Sequence, residues 1–212
     1  MKILFFGDSI TDAGRDKVSD ALNSEYGIGF VMQAAGRLFE KDFNKYEIVN
    51  RGISGNRIVD MYARIKSDCW NFEPDVINIL AGVNDVGHDV KHNNGVEIDR
   101  FETVYRMLLA DTKKRLPNAK IILCEPFVLK GTSTEELYDK FLLVREYAKV
   151  VKKLSDEFGT YFLPIQKIYD EIGEKYGNET IFYDGIHPNT KGAVVLATEW
   201  LKLFEKVEES MK

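Results

Sequence analysis

The chain has 212 residues, 44% of them hydrophobic, and a formal net charge of −5. A chain of this length and composition can bury a sizeable core, and we predict one domain over residues 1–212. Lysine and arginine are spread along the chain without a basic block, which argues against nucleic acid as a partner. The cysteines, Cys69 and Cys124, form neither a disulfide framework nor a metal-site spacing.

Targeting and membrane segments leave a recognisable pattern, and the sequence does not contain one. The apolar run between Lys2 and Gly7 is too short for the core of a signal peptide. No apolar run approaches the ~20 residues that a membrane span requires. We therefore predict a cytoplasmic protein with no membrane partner, and a homo-oligomeric state stays open.

Short apolar runs alternate with helical periodicity along the chain. The runs predict strands at Ile3–Phe6, Tyr46–Asn50, Val76–Ala81, Lys120–Cys124 and Tyr161–Leu163. Apolar residues three or four apart predict helices at Phe30–Phe39, Ile58–Ile65, Phe101–Leu109, Glu135–Phe158, Ile168–Tyr176 and Thr190–Val207. The polar stretch from Asp12 to Ile28 predicts a loop that can include a short helix. Strands alternating with helices in this way indicate an α/β fold with a parallel sheet covered on both faces.

The exit of the first strand is the most distinctive position. Gly7 ends the strand, and Asp8 and Ser9 follow at once. Ligands of open α/β sheets bind beyond the carboxyl ends of the strands. A serine here, at the start of a helix, can present its hydroxyl to a crevice, with its own N–H and the positive end of the helix dipole alongside. Ser9 is therefore a candidate nucleophile; the alternative is that Ser9 or Thr11 caps a helix.

The loops after the next strands should lie at the same edge of the sheet, because parallel strands share a direction. The second strand is followed by Arg51–Asn56 and the third by Gly82–Asp85. A serine nucleophile needs donors aimed at the negative charge of a tetrahedral intermediate. The Gly55 N–H, the Asn84 side chain and the Ser9 N–H are candidates for this oxyanion hole. Ordinary turn geometry for Gly55 and an Asx-turn for Asn84 are the alternatives.

A fourth segment, Asp184–Asn189, precedes the last predicted helix. Asp184 and His187, three residues apart on a tight turn, can face a common crevice. Asp184 would then accept the Nδ1–H of His187 and leave Nε2 free to take a proton, as a base does in a catalytic triad. Together with an exposed serine at a strand exit, this spacing predicts a Ser9–His187–Asp184 triad.

These four motifs in order resemble those of the SGNH hydrolases, also called the GDSL esterase/lipase family. The matching segments are Gly7–Ile10, Asn50–Asn56, Gly82–Asp85 and Asp184–Pro188. The resemblance implies a three-layer α/β/α sandwich, flavodoxin-like in topology, with a five-stranded parallel sheet. It also implies a cofactor-free esterase with a metal-free acyl-enzyme mechanism, in which Ser9, Gly55 and Asn84 hold the oxyanion. Within the family the motifs look most like those of carbohydrate acetylesterases, including acetyl-xylan esterases.

The resemblance leads us to expect short acyl groups, acetyl above all, on a small-molecule or oligosaccharide ester. No long apolar lid for a fatty chain is evident in the sequence. Possible substrate contacts, each with core packing as its alternative, are Arg15, Tyr26, Phe127 and Tyr183. A thioesterase or lysophospholipase acting on longer acyl chains is the alternative enzyme. A non-catalytic binder of acylated glycans is the alternative of another class.

A metal or nucleotide cofactor is disfavoured by the remaining motifs. His88 and His92 have the spacing of a helical metal site, but Gly87, Asn93 and Asn94 predict a solvated loop here. No Gly-x-Gly-x-x-Gly or Walker pattern accompanies the glycine-rich turns. We therefore predict neither a metal nor another cofactor.

Overall fold

The computed structural model describes residues 1–17 and 25–212. Its centre is a five-stranded parallel sheet with the strand order β2-β1-β3-β4-β5. The strands are β1 (Lys2–Gly7), β2 (Glu47–Gly52), β3 (Val76–Leu80), β4 (Lys120–Cys124) and β5 (Tyr161–Leu163). The α/β class, the five strands and their parallel arrangement are confirmed. The predicted loop from Asp12 to Ile28 includes residues 18–24, which lie outside the described part of the chain.

Helices connect the strands and cover the sheet. They are α1 (Ser9–Asp12), α2 (Phe30–Lys41), α3 (Ile58–Asp68), α4 (Val83–His92), α5 (Ile98–Arg115), α6 (Tyr138–Phe141), α7 (Val144–Phe158), α8 (Gln166–Tyr176) and α9 (Thr190–Glu209). Short 3₁₀ turns lie at Trp70–Phe72, Glu135–Leu137 and Asn178–Thr180. Among the helices of the described residues, none combines the length and apolar character needed to cross a bilayer.

Two adjacent residues of β1 show how the three layers are built. The ring of Phe5 packs against Phe30 of α2 and Trp200 of α9, with centroids 5.5 and 4.9 Å away. Phe6 points to the opposite face, where the guanidinium of Arg64 in α3 lies 4.4 Å from its ring centroid. Successive side chains of a strand alternate between faces. Since both faces are covered by helices, both phenylalanines are fully buried.

Two predictions about helices were wrong. The segment predicted as one helix over Glu135–Phe158 is divided into a 3₁₀ turn, α6 and α7. Phe141, the last residue of α6, packs against α4, where a Cβ at Gly87 would lie 3.3 Å from its ring. Gly87 lies inside α4, in a segment that the sequence predicts as a loop, and its lack of a side chain leaves room for the Phe141 ring. A left-handed residue, Asn93 with φ 50°, ends that helix.

The sheet register brings three strand exits together. Gly7 at the end of β1 pairs with Gly52 of β2 on one side and with Leu80 of β3 on the other. The strand order reverses at β1, because the chain continues from β1 to β2 on one side of the sheet and from β3 to β4 on the other. Open α/β sheets bind ligands at such a position. The loops that carry Ser9, Gly55 and Asn84 therefore start side by side.

Candidate active site

Ser9 is held at the rim by the close packing of α1 on the strand ends. A Cβ at Gly7 would lie 2.2 Å from Thr11 Oγ1, and one at Gly52 would lie 2.2 Å from the Asp12 nitrogen. Real Cβ atoms do not approach other atoms so closely. The two glycines are therefore required for α1 to lie directly on β1 and β2, with Ser9 as its first residue.

The helix cap is Asp8 and not Ser9. The Asp8 carboxylate accepts the N–H of Ile10 at 2.9 Å, as an N-cap residue does. This leaves the Ser9 hydroxyl for another partner, and it lies 2.8 Å from His187 Nε2. The capping alternative for Ser9 is thus replaced by a contact between residues 178 positions apart.

His187 and Asp184 have the geometry of a base and the group that orients it. The distance from His187 Nδ1 to Asp184 Oδ2 is 2.8 Å. The other carboxylate oxygen accepts the N–H of Ile186 at 2.9 Å and that of His187 at 2.8 Å. With all these bonds made inside one turn, Asp184 fixes both the position and the tautomer of the imidazole. Nε2 is then the atom that can take a proton from Ser9.

The acid and the base of this turn have opposite pKa shifts. Burial raises the pKa of Asp184, but hydrogen bonds from the His187 ring, the His187 N–H and the Ile186 N–H outweigh it and hold the pKa well below its usual range. The hydrogen bond that His187 donates to Asp184 raises the pKa of His187 above its ordinary value, against the effect of burial. Asp184 is therefore ionised beside an imidazole whose protonated form it stabilises.

A residue that sequence reasoning missed holds Asp184 from the other side. Ser133, in the loop after β4, donates its hydroxyl to Asp184 Oδ2 at 3.0 Å and its N–H to the Asp184 carbonyl at 2.9 Å. The two segments are in such close contact that a Cβ at Gly131 or Gly185 would lie 2.5 Å from backbone atoms of the other segment. Gly185 also has a φ of 93°. No local pattern links a serine to an aspartate 51 residues away, so only the tertiary structure reveals this contact.

The loop after β2 brings Gly55 to the same rim. Asp12, at the end of α1, accepts the N–H of Ser54 at 3.0 Å and so ties this loop to the helix of Ser9. Gly55 has a φ of 80°, which favours glycine. A Cβ on Gly55 would have only His88 within 4 Å, at 3.9 Å. Among the described residues, no acceptor takes the Gly55 N–H, so the geometry suits a donor to a bound oxyanion.

Asn84 follows β3 and is connected to the same loop. Its side-chain amide donates to the Asn56 carbonyl at 3.1 Å, so the side chain crosses to the neighbouring loop and does not form an Asx-turn. Arg64 of α3 also binds this loop, through Nε to Asn56 Oδ1 at 2.6 Å. The same guanidinium donates to the Gly7 carbonyl at 3.0 Å and the Arg51 carbonyl at 2.9 Å. Arg64, a second residue that the sequence did not single out, therefore holds the strand ends and the loop in one arrangement.

Two buried carboxyl groups lie beneath this arrangement. Asp8 is fully buried, and burial raises its pKa to about 6. Asp85 is equally buried, and burial raises its pKa to about 7. Asp85 accepts the N–H of Ile58 at 3.0 Å, which joins the start of α4 to the start of α3. Asp8 therefore caps α1, which begins with Ser9, and Asp85 holds α4, which contains Asn84, against the start of α3.

Of the four possible substrate contacts, Tyr183 and Arg15 lie at the rim. Tyr183 is 64% exposed and lines a cavity that reaches Ser9 and His187. Arg15 donates from Nε to the Gly52 carbonyl at 3.0 Å, beside the end of β2.

The other two side chains are engaged in packing. Tyr26 is half-buried against Phe39, with ring centroids 6.0 Å apart. Phe127 is fully buried between Tyr169 and Phe182, so its side chain packs in the core, the alternative given for it, and is not placed to contact substrate. Its aromatic character reflects the core and not a binding surface.

His88 and His92 lie on α4 and not in the predicted loop. Their rings are 6.0 Å apart and meet edge to face. Across the described ranges, 1–17 and 25–212, no three His, Cys, Asp or Glu side chains are placed to hold a metal ion together.

The chain is similar to known proteins over most of its length. The model of the GDSL-like lipase/acylhydrolase family matches residues 5–195. The acetylxylan esterase of Geobacillus stearothermophilus is 30% identical over 211 residues, which make up 95% of this chain and 92% of that protein. Its crystal structure, matched over 95% of this chain and 93% of that one, has a TM-score of 0.85.

Further solved structures extend the comparison. A GDSL-like protein from Parabacteroides merdae is 39% identical, with a TM-score of 0.90, and the match covers 96% of this chain and 95% of that one. Two crystal structures of the Geobacillus enzyme are of catalytic mutants, one with a serine and one with an aspartate replaced by alanine.

Proposed function

The chain belongs to the GDSL-like lipase/acylhydrolase family and is a carboxylic ester hydrolase, and from this premise we propose that it removes short acyl groups, acetyl in particular, from carbohydrate esters. The proposal rests on one observation above others, the hydrogen-bonded series Ser9–His187–Asp184 at the rim of the sheet. The acetylxylan esterase activity named for the Geobacillus relative supports the choice of acyl group and of carbohydrate.

The proposed mechanism follows from the geometry of these groups. His187 Nε2 takes the proton of Ser9 Oγ as the oxygen attacks the ester carbonyl carbon. The carbonyl oxygen becomes an oxyanion that accepts hydrogen bonds from the Ser9 and Gly55 N–H groups and the Asn84 amide. The intermediate then expels the alcohol, which leaves with the proton from His187.

A water molecule completes the cycle. His187 takes one of its protons as the water oxygen attacks the carbonyl carbon of the acyl-enzyme. The second tetrahedral intermediate breaks its bond to Ser9 Oγ and releases the carboxylic acid, and the proton returns from His187 to Ser9. Asp184 stays ionised throughout and stabilises the imidazolium form of His187 in both halves.

The test is hydrolysis of p-nitrophenyl acetate and of acetylated xylo-oligosaccharides by the wild type and Ser9→Ala. We expect the variant to lose about 10⁴-fold or more in kcat, since the nucleophile is removed. Melting temperatures measured in parallel verify that Ser9→Ala is folded. Esterase activity retained by a folded Ser9→Ala variant would refute the mechanism. Ser9-dependent activity on the nitrophenyl ester but none on the oligosaccharides would refute the carbohydrate assignment alone.

Two alternatives remain distinguishable from this proposal. A binder of acylated glycans does not require a serine in hydrogen-bond contact with a histidine–aspartate pair, so the observed geometry favours an enzyme. A thioesterase or lysophospholipase would prefer acyl chains of eight carbons or more. Chain-length profiles with nitrophenyl esters and acyl thioesters separate these activities from a short-chain esterase.

A further inference from the structure

An apolar cavity opens directly beside the proposed nucleophile. It has a volume of about 170 Å³, and Ser9 and His187 are among the residues that line it. Its inner wall is made of Ile10, Phe30, Ala193 and Leu196, each at most 4% exposed. Gly55 and Asn84 do not line it, so the cavity lies away from these two of the three proposed oxyanion donors. The sequence, which shows no apolar lid, gives no sign of this feature because its walls come from three separate segments.

Asn189, one of the polar residues that line the cavity, has no free hydrogen-bonding group in its side chain. Asn189 caps α9, and its Oδ1 accepts the N–H groups of Lys191 at 2.9 Å and Gly192 at 3.2 Å. Its amide donates to the carbonyls of Glu179 and Thr180. A hydroxyl group buried in this cavity would therefore find no partner in the side chain of Asn189, and burial of an unpaired hydroxyl is unfavourable.

The volume indicates how large the occupant is. An apolar protein cavity of about 150 Å³ lined by Leu, Ile and Phe is large enough to bind benzene, a molecule of six carbons. The cavity beside Ser9 is slightly larger and has similar walls. An acetyl group contributes only one methyl beyond its carbonyl carbon and would leave most of this space unfilled.

We infer that this cavity is the acyl subsite, and that it accepts, besides acetyl, unbranched acyl groups of up to about six carbon atoms. The inference rests on the proposed function, because an ester consists of an acyl group and an alcohol, and which of the two fits the cavity depends on what the alcohol is. A carbohydrate alcohol carries several hydroxyl groups, which suit the open polar rim and not these apolar walls. The acyl group is the part of the ester that the cavity can desolvate favourably.

The test compares two ester series in which only one side grows. In the acyl series, p-nitrophenyl esters run from C2 to C12; in the alcohol series, alkyl acetates run from methyl to hexyl. For the wild type we expect kcat/KM to rise about fourfold with each added acyl methylene up to about C6, and then to fall. Ala193→Leu fills part of the cavity, and we expect it to reduce the C6-to-C2 ratio at least tenfold while leaving the slope of the alcohol series unaltered.

A second pair of variants guards against a folding defect in Ala193→Leu. Ile28 lines the mouth and is 74% exposed, so Ile28→Ala should fold normally and reduce the gain per acyl methylene. Its matched control is Ile98→Ala on α5, where the side chain is 37% exposed and remote from the cavity lining. A wild-type optimum at C2, or effects of the variants on the alcohol series, would overturn the acyl assignment. Those outcomes leave the proposed function intact as long as activity depends on Ser9.

Discussion

Removing the Ser133 hydroxyl tests whether the loop after β4 contributes to catalysis. Ser133→Ala deletes the donor that lies 3.0 Å from Asp184 Oδ2, the same oxygen that binds His187. A hydrogen bond to a charged group contributes roughly 1.5–3 kcal/mol. The Asp184 side chain is 21% exposed, so water can replace part of this bond and we expect a net loss of about 1–2 kcal/mol. That corresponds to a decrease of roughly 5- to 30-fold in kcat/KM.

The assay is steady-state hydrolysis of p-nitrophenyl acetate, with melting temperatures measured alongside. The loss should fall on kcat and leave KM nearly unchanged, because the bond orients groups that act in the transition state. Ser133→Thr keeps the hydroxyl and should recover most of the activity. Ser210→Ala is the matched control, since the Ser210 hydroxyl donates to the Val207 carbonyl near the end of the chain. A change of less than twofold in Ser133→Ala would refute the reasoning.

Three further predictions concern charge and hydrogen bonding. His187 must be neutral to take a proton, and its pKa is raised by Asp184, so kcat/KM should fall with decreasing pH through an apparent pKa above 6.5. Asp184→Asn should move this limb of the pH profile to lower pH and reduce kcat about 10⁴-fold. A limb that does not move in Asp184→Asn would contradict the role assigned to Asp184. Asn84→Ala should lower kcat by about 10² to 10³, and undiminished turnover would exclude an oxyanion role. Burial raises the pKa of Glu208, but hydrogen bonds from two lysines and Tyr46 outweigh it and lower the pKa to about 2. Glu208→Gln should therefore reduce the unfolding free energy by up to about 3 kcal/mol at pH 7. The difference in stability between wild type and variant should vanish as the pH falls from 4.5 through 2. Equal denaturation midpoints of the two proteins at pH 7 would refute this role of Glu208.

The strands were predictable because a buried parallel strand is a short apolar run ending at glycine or a polar residue. β4 and β5 were predicted with the observed bounds. Helical segments were harder, since their ends depend on contacts outside the segment. Gly87 and Asn93 predicted a loop, but Gly87 lies inside α4 against the Phe141 ring, and Asn93 follows the last residue of that helix. Phe141 also ends α6, which no periodicity within Glu135–Phe158 indicates.

The sequence by itself determined that the loops of Ser9, Gly55 and Asn84 share one edge of the sheet, because these three motifs directly follow parallel strands. It also provided Asp184 and His187 in one turn, where the carboxylate reaches both the ring and the backbone. Only the tertiary structure decided that Asp8 is the cap and Ser9 is not, that Phe127 is in the core, and that Ser133 binds Asp184. These outcomes depend on distances between segments far apart in the chain, which local propensity and spacing do not encode.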